Sequence, residues 1–158
     1  MSRTPLNHMD CSVAQTLDIV GEWWSLLILR NAFHGMRTFD AFQKQLEISS
    51  SVLSARLKKL TEAGVLKKVP CSEDKRSFEY RLTPAGMDLY PVLIGLMQWG
   101  EKWRPNDRGQ RMLLLEKATG EPIHGAEVLA NDGRPLKAWE VQPVAGPGAD
   151  EHVYELIG

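Results

Sequence analysis

The stretch from Ile48 to Gly64 carries short hydroxyl side chains first and cations next. In a helix laid in a DNA major groove, early hydroxyls can reach base edges and later cations can meet phosphate. The same stretch also fits an ordinary amphipathic helix that touches no nucleic acid. The residues that the pattern assigns to DNA are Ser50, Ser51, Ser54, Arg56, Lys58 and Lys59.

Leucines recur among these polar side chains with the period of a helix. Leu53, Leu57 and Leu60 stand at i, i+4 and i+7, which turns one face toward a core. Ser49 or Ser50 can cap the helix at its start. Gly64 is typical of the left-handed residue that ends a helix.

Some of the side chains assigned to DNA have a second explanation. Arg56 can pair with Glu62 or with a neighbouring helix instead of phosphate. Thr38 begins a predicted helix, so its hydroxyl and the first amides can face phosphate or serve as a cap alone. Arg37, directly before it, is assigned to the same DNA interface.

A second cationic group lies in a predicted hairpin. Two β-prone runs, Val65–Val69 and Phe78–Leu82, flank a polar turn that contains Lys75 and Arg76. A hairpin directly after a pair of helices can place its tip on the phosphates beside the groove. The sequence therefore assigns Lys75 and Arg76 to the DNA backbone.

Other reactive side chains are few. Cys11 begins a predicted helix, where the positive dipole end favours thiolate, and the alternative is a small thiol that fills space in the interior. The four histidines have no cysteine or carboxylate at metal-ligand spacing, and no Gly-rich phosphate loop or G-x-S-x-G elbow occurs. The sequence supplies no residues for an enzyme, and it predicts neither a metal nor a cofactor.

Charge is unevenly distributed along the 158 residues, whose net charge is −1. Eight cations and four acids lie between Ser54 and Arg81, whereas five cations and nine acids lie from Asp107 onward. A basic segment balanced by an acidic tail is compatible with DNA binding. The longest apolar run is too short for a bilayer and the start lacks a secretory signal, so we expect a cytoplasmic protein without membrane contact.

Three further helices are predicted to position the stretch from Ile48 to Gly64. Cys11–Val20 is amphipathic, Trp23–Phe33 is hydrophobic almost all round and should be buried, and Phe39–Leu46 follows. A tight turn joins the third helix to the fourth, and two helices joined in this way make a helix-turn-helix.

A long helix is predicted from Thr83 to about Trp103, with Thr83 as its cap and a kink at Pro91. Its wide apolar surface packs either on its own domain or on a second subunit. We favour the second subunit, because two-fold protein pairs read palindromic DNA. The residues assigned to this dimer interface are Val13, Leu17, Leu89, Leu93, Leu96, Trp99 and Trp103.

The composition changes after Pro105, where prolines become frequent. Two similar turns at 118–123 and 131–136 repeat Gly, Pro and an aliphatic residue, which predicts two β-hairpin knuckles. Strands are predicted over Arg111–Lys117, Glu127–Ala130, Leu136–Val141 and His152–Ile157. We therefore predict a DNA-binding and dimerisation domain over residues 1–104 and a small β-rich appendage over residues 105–158.

The order of these elements resembles the HxlR family of bacterial winged-helix regulators, a MarR-like group. The matching stretches are LDIVGEWWSLLILRNAFHG, SSSVLSARLKKLTEAGVLKK, FEYRLTPAG and PVLIGLMQWG, which fall within residues 10–103, roughly two-thirds of the chain. The resemblance implies an α+β fold, a winged helix-turn-helix with dimerising terminal helices and here a small C-terminal β appendage. It also implies a homodimeric DNA-binding transcription factor.

The chain departs from the family pattern in places. Ser50 and Ser51 stand where the family often has Pro and a basic residue, which shifts the expected readout toward hydroxyls. Ser12 follows Cys11 where the family often has Cys-Pro, and some members use the matching cysteine to sense oxidants or electrophiles. Some relatives carry metal-type cysteines in terminal knuckles, but Thr119 and Asp132 lie in the knuckles here, so we expect no zinc.

These observations predict a homodimer that binds a pseudo-palindromic operator on double-stranded DNA and responds to a redox, electrophile or other small-molecule signal. Trp23, Trp24, Trp99 and Trp103 are assigned to core and interface in preference to an effector pocket. The competing hypothesis is a protein-interaction module that keeps the winged-helix scaffold without operator binding. Salt-dependent binding to the DNA upstream of its own gene separates the two.

Overall fold

The structure is a computed structural model that describes residues 5–6, 8–71, 74 and 76–157. One unit comprises residues 1–88 with 143–158, and a second comprises residues 89–142. The predicted division after residue 104 stays a prediction. The elements are α1 (Ser12–Val20), α2 (Trp23–Phe33), α3 (Phe39–Leu46), α4 (Ser50–Glu62), β1 (Leu66–Pro70), β2 (Phe78–Leu82), α5 (Pro84–Met87), α6 (Tyr90–Trp103), a 3-10 turn (Ala138–Glu140) and α7 (Glu151–Ile157).

The leucine stripe of α4 packs as its spacing predicts. Leu53, Leu57 and Leu60 are fully buried, and α4 packs on α1, α2, α3 and β1. The Ser49 hydroxyl accepts a hydrogen bond from the Val52 amide at 3.3 Å, so Ser49 is the cap. Gly64 has a φ of +73°, which confirms the left-handed residue after the helix.

Local signals also determine where α2 and α3 begin and end. Both helices have the predicted bounds, and Thr38 caps α3 by accepting a hydrogen bond from the Ala41 amide at 3.3 Å. Glu47 adopts a left-handed φ of +51° in the turn that joins α3 to α4. Ile48 is buried beside this turn, and the helix-turn-helix is therefore confirmed.

The predicted hairpin is present directly after α4. Its strands are antiparallel, with the register running from Leu66 opposite Leu82 to Pro70 opposite Phe78. The Tyr80 amide donates to the carbonyl oxygen of Arg37 at 2.7 Å, so the link between α2 and α3 is joined to the outer edge of β2. The helices together with this sheet confirm the α+β class.

The single long helix predicted from Thr83 to Trp103 is wrong, because two helices occupy this range. The first, α5, ends at Met87, and α6 begins at Tyr90. Pro91 lies in the first turn of α6, where its missing N–H has no intrahelical acceptor to lose. The same proline therefore starts a new helix instead of kinking an existing one.

Two of the predicted strands in the C-terminal part are wrong. Residues 152–157 belong to helix α7, for which Asp150 accepts a hydrogen bond from the Val153 amide at 3.2 Å. An acceptor at the cap and Glu151 in the first turn both favour a helix. The range 136–141 contains the 3-10 turn instead of a strand.

The two repeated turns are hairpin knuckles, as predicted. Isolated β-bridges join Leu115 to Pro122 and Leu129 to Pro135, in place of the longer strands expected there. Within the second unit, the Ala126 amide donates to the Gln98 side chain of α6 at 3.0 Å. No helix in the described part of the chain is long and apolar enough to cross a membrane.

Candidate nucleic-acid interface

The outer face of α4 carries the predicted hydroxyl side chains. Ser50, Ser51 and Ser54 are all exposed, on the side of the helix away from the leucine stripe. The hydroxyls of Ser49 and Ser51 lie 3.3 Å apart and share a hydrogen bond at the helix start. Hydrogen-bond donors and acceptors are thus exposed at the N-terminal end of α4.

Lys58 extends this exposed face by one turn. Its Nζ lies 3.8 Å from a carboxylate oxygen of Glu62, and both side chains are largely exposed. A solvated i, i+4 pair contributes at most about 0.5 kcal/mol, so it can break when phosphate competes for the lysine. Glu62 was the alternative ion-pair partner expected for Arg56, but in the structure it pairs with Lys58.

Arg56 and Lys59 are less exposed than Lys58, and Lys59 contacts α1. Arg56 is half-buried, and its Nε is buried without a hydrogen-bond partner among the described residues. Lys59 Nζ lies 3.9 Å from a carboxylate oxygen of Asp18 on α1. The structure thus separates the predicted cations of α4 into an outer group and a flanking group.

Arg37 has a structural role that the sequence analysis missed. Its guanidinium Nη1 donates to the carbonyl oxygens of Ala32 at 3.0 Å and Met36 at 3.4 Å. The Ala32 carbonyl lies in the last turn of α2, where a cation also meets the negative end of the helix dipole, and Met36 follows in the link after the helix. A basic residue two positions after the terminal Gly35 was the available signal. Thr38 remains exposed beside it as the cap of α3.

A local turn holds the tip of the hairpin. Asp74 accepts hydrogen bonds from the Arg76 amide at 2.9 Å and, through its carbonyl oxygen, from the Ser77 amide at 3.0 Å. The Arg76 side chain is exposed at this tip, as predicted for a phosphate contact. Lys75, its predicted companion, lies outside the described residues.

The strands of the hairpin carry cations that are already engaged. Lys68 Nζ lies 4.4 Å from the centre of the Phe78 ring, close enough for a cation–π contact. The Arg81 guanidinium donates twice to one carboxylate oxygen of Glu79, at 2.8 and 3.1 Å. Burial raises the pKa of the Tyr80 hydroxyl above its ordinary value of 10.0, so this strand stays uncharged at that position.

Thr83 joins the end of α4 to α5. Its hydroxyl donates to the carbonyl oxygen of Gly64 and accepts from the Gly86 amide at 3.1 Å, while its own amide donates to Val65 at 3.1 Å. A Cβ at Gly86 would overlap the carbonyl oxygen of Val65, so only glycine allows this approach. The segment thereby fixes where the hairpin leaves the helix.

The residues predicted for the dimer interface are apolar and mostly open to solvent. On α1, Val13 and Leu17 are exposed, Val13 by 66%. On α6, Leu96 is exposed, and Trp99 and Trp103 are each exposed by 56%. Leu89 and Leu93 are half-buried. These surfaces are unusually apolar for groups that face only water.

Cys11 and the knuckles complete the set of predicted sites. Cys11 is a free, half-buried thiol at the start of α1, and it makes no capping hydrogen bond. In the first knuckle, the Thr119 hydroxyl donates to the Glu116 carboxylate at 3.0 Å. Among the described residues, no three His, Cys, Asp or Glu side chains form a group that could hold a metal ion.

Two joined helices, the second with an exposed polar face, and a hairpin directly after them define a winged helix-turn-helix protein. The model of the HxlR-like helix-turn-helix family matches residues 19–108. The chain belongs to this family of transcriptional regulators.

Three known proteins show how far the similarity extends. An uncharacterized HTH-type transcriptional regulator of Mycobacterium tuberculosis, Rv3095, is 41% identical over 137 residues, 87% of each chain. The crystal structure of PA1607, described as a candidate transcription factor, matches with a TM-score of 0.84 and 38% identity over 90% of this chain and 100% of that one. The redox regulator HypR in its reduced form matches with a TM-score of 0.55 and 26% identity, over 60% and 94% of the two chains.

Proposed function

We propose that the protein acts in the cytoplasm as a homodimer on a pseudo-palindromic operator, with α4 in the major groove and the hairpin tip on phosphate. The observation that carries this proposal is the exposed polar face of α4, directly followed by a hairpin with Arg76 at its tip. Membership of a helix-turn-helix regulator family gives that surface a natural ligand in double-stranded DNA.

The positions of the side chains suggest that the hydroxyls and the cations contact different parts of the DNA. Ser50, Ser51 and Ser54 contact base edges, because they occupy the exposed start of α4. Lys58 and Arg76 bind phosphate on either side of these contacts. The remaining cations and the cap of α3 bind phosphate at the border of the interface: Arg37, Thr38, Arg56 and Lys59. Lys75, which lies outside the described residues, is assigned to phosphate from its place in the sequence beside Arg76.

Dimerisation uses the exposed apolar residues of α1 and α6. Trp99 and Trp103 present large apolar areas that a monomer would leave in water. A two-fold axis would repeat the α4 face on the next half-site of a palindrome, about 34 Å away along B-form DNA. Covering the apolar residues and doubling the DNA contacts thus favour the same assembly.

Binding to the intergenic DNA beside its own gene tests the proposal. We expect footprints over a short inverted repeat and an affinity that falls steeply between low and physiological salt, because several phosphates are neutralised. A protein-interaction module with the same scaffold would show little DNA affinity at about 0.15 M salt. Weak binding without salt dependence would therefore favour that alternative.

Cys11 is the proposed sensor of a redox or electrophile signal. It is a free and partly accessible thiol, and a similar structure belongs to a protein described as a redox regulator in reduced and oxidised forms. We expect diamide to change the operator affinity of the native protein, and the Cys11→Ser variant to be insensitive. Equal responses from the two proteins would assign the effect to Cys71 or to another group.

A further inference from the structure

A cavity of about 980 Å³ lies between two segments that are distant in the sequence. One wall consists of residues 8–12, before and at the start of α1. The other consists of Gly146, Gly148 and Ala149 with one side of α7. Both walls belong to the first unit of the chain. The α4 face and the hairpin make no use of this cavity.

The lining offers apolar surface and open space. Met9, Val153 and Leu156 line the cavity, and Met9 and Leu156 are exposed. A Cβ added at Gly146 or Gly148 would meet no atom within 4 Å, so the wall that they form leaves room. An apolar cavity of this size is suited to an organic molecule whose body replaces water against these side chains.

The charges around the cavity favour one sign of ligand. Asp10 is the only charged side chain among the described lining residues, apart from two imidazoles, and neither lysine nor arginine contributes. Glu151 precedes the lining residue His152 in α7, and a carboxylate oxygen of Glu155 lies 3.7 Å from the His152 imidazole, so both acids are neighbours of the lining. We propose that the cavity binds an apolar organic cation, which the acidic surroundings favour over an anion of the same shape.

A short chain of polar contacts connects one wall to the candidate DNA interface. The Leu6 amide, two residues before that wall, donates to one Asp18 carboxylate oxygen at 3.0 Å. The other Asp18 oxygen lies 3.9 Å from Lys59 Nζ on α4. Within this proposal, a bound ligand displaces residues 8–12 and with them Leu6, which leaves Asp18 paired with Lys59 alone. Occupancy therefore lowers operator affinity, a step that rests on the proposed function.

Isothermal titration with tetraphenylphosphonium, measured without DNA, tests the cavity. We expect one cation per chain and weaker binding by tetraphenylborate, an anion of the same shape. Ala149→Trp places an indole inside the cavity and should weaken binding at least tenfold. Val144→Trp, the same change at a site that is 76% exposed and outside the lining, should leave it within twofold. Asp10→Asn should weaken binding of the cation about fivefold, as expected for one exposed charge.

Several results would overturn the assignment. They are an absence of cation binding, equal binding of cation and anion, and native affinity in Ala149→Trp. Ser12→Trp places an indole in the cavity from the opposite wall. It replaces Ala149→Trp in the test if that variant has lost its helical circular dichroism.

Operator titration with and without the cation tests the contacts through Asp18. We expect the cation to lower the operator affinity of the native protein several-fold and to have no effect on Asp18→Asn. An unchanged operator affinity in the presence of bound cation would overturn the connection while the cavity assignment stands. Failure of the protein to bind any operator would overturn the proposed function, and the titration without DNA would still judge the cavity.

Discussion

At the scale of single residues, the cations predicted to bind DNA fall into groups with different surroundings. Lys58 and Arg76 are exposed, and they lie where phosphate can reach them. Lys59 is shared with Asp18, and Arg37 donates to the end of α2. Substituting Lys59 or Arg37 therefore changes contacts within the fold as well as any contact with DNA. Only the exposed residues give a clean test of binding.

Arg76→Ala should weaken operator binding by a similar factor for all sequences and reduce the salt slope. One lost phosphate contact lowers the slope of log affinity against log salt by about 0.9. Fluorescence anisotropy at a series of salt concentrations measures this slope. Arg108→Ala, the same change at an exposed arginine of the second unit, should leave the slope as it is. A native slope in Arg76→Ala would remove the hairpin tip from the interface.

At the scale of elements, helix ends that depend on residues within a single turn could be predicted from the sequence. Thr38 and Gly64 mark helix ends through their own hydrogen bonds and dihedral angles, so α3 and α4 follow from the sequence. Pro91 was ambiguous, because a proline suits a kink and a first turn equally. Residues 152–157 contain β-prone Val153, Tyr154 and Ile157, which fit a short strand, but the Asp150 cap decides for the helix.

Contacts between elements could not be predicted from the sequence. Asp18 lies far from Lys59 along the chain, and only the packing of α1 on α4 brings their charges together. The bond between Tyr80 and Arg37 likewise depends on where the hairpin meets the link after α2. The positions of the candidate DNA residues followed from helical spacing, whereas their partners required the folded chain.

Gly86→Ala should destabilise the unit that holds the hairpin. The new methyl group would overlap the Val65 carbonyl oxygen and press on Leu82, and such overpacking costs about 1–3 kcal/mol of unfolding free energy. Urea unfolding followed by circular dichroism measures the loss. Gly95→Ala is the matched control, since its methyl group meets nothing within 4 Å and a helical alanine adds about 0.5–1 kcal/mol. Equal stabilisation of both variants would contradict the close approach at Gly86.

At the scale of the whole molecule, the exposed apolar residues and the DNA interface both favour a dimer. A single chain offers one α4 and one hairpin, and one half-site provides few phosphate contacts for tight binding at physiological salt. In the proposed dimer, the second copy binds the other half-site, and its apolar residues cover tryptophans that otherwise face water. A substitution that prevents dimerisation is therefore expected to lower operator affinity as well.

Trp99→Glu should convert the dimer to a monomer, because a buried interface would then contain an unpaired carboxylate. Light scattering coupled to size exclusion measures the mass, and anisotropy with a full operator and a half-operator measures binding. The variant should lose its preference for the full operator and keep weak affinity for the half-operator, since α4 is untouched. Trp139→Glu places the same change on a tryptophan that is 83% exposed, and it should remain a dimer. A dimeric Trp99→Glu with native affinity would show that α6 leaves its tryptophans outside the subunit interface.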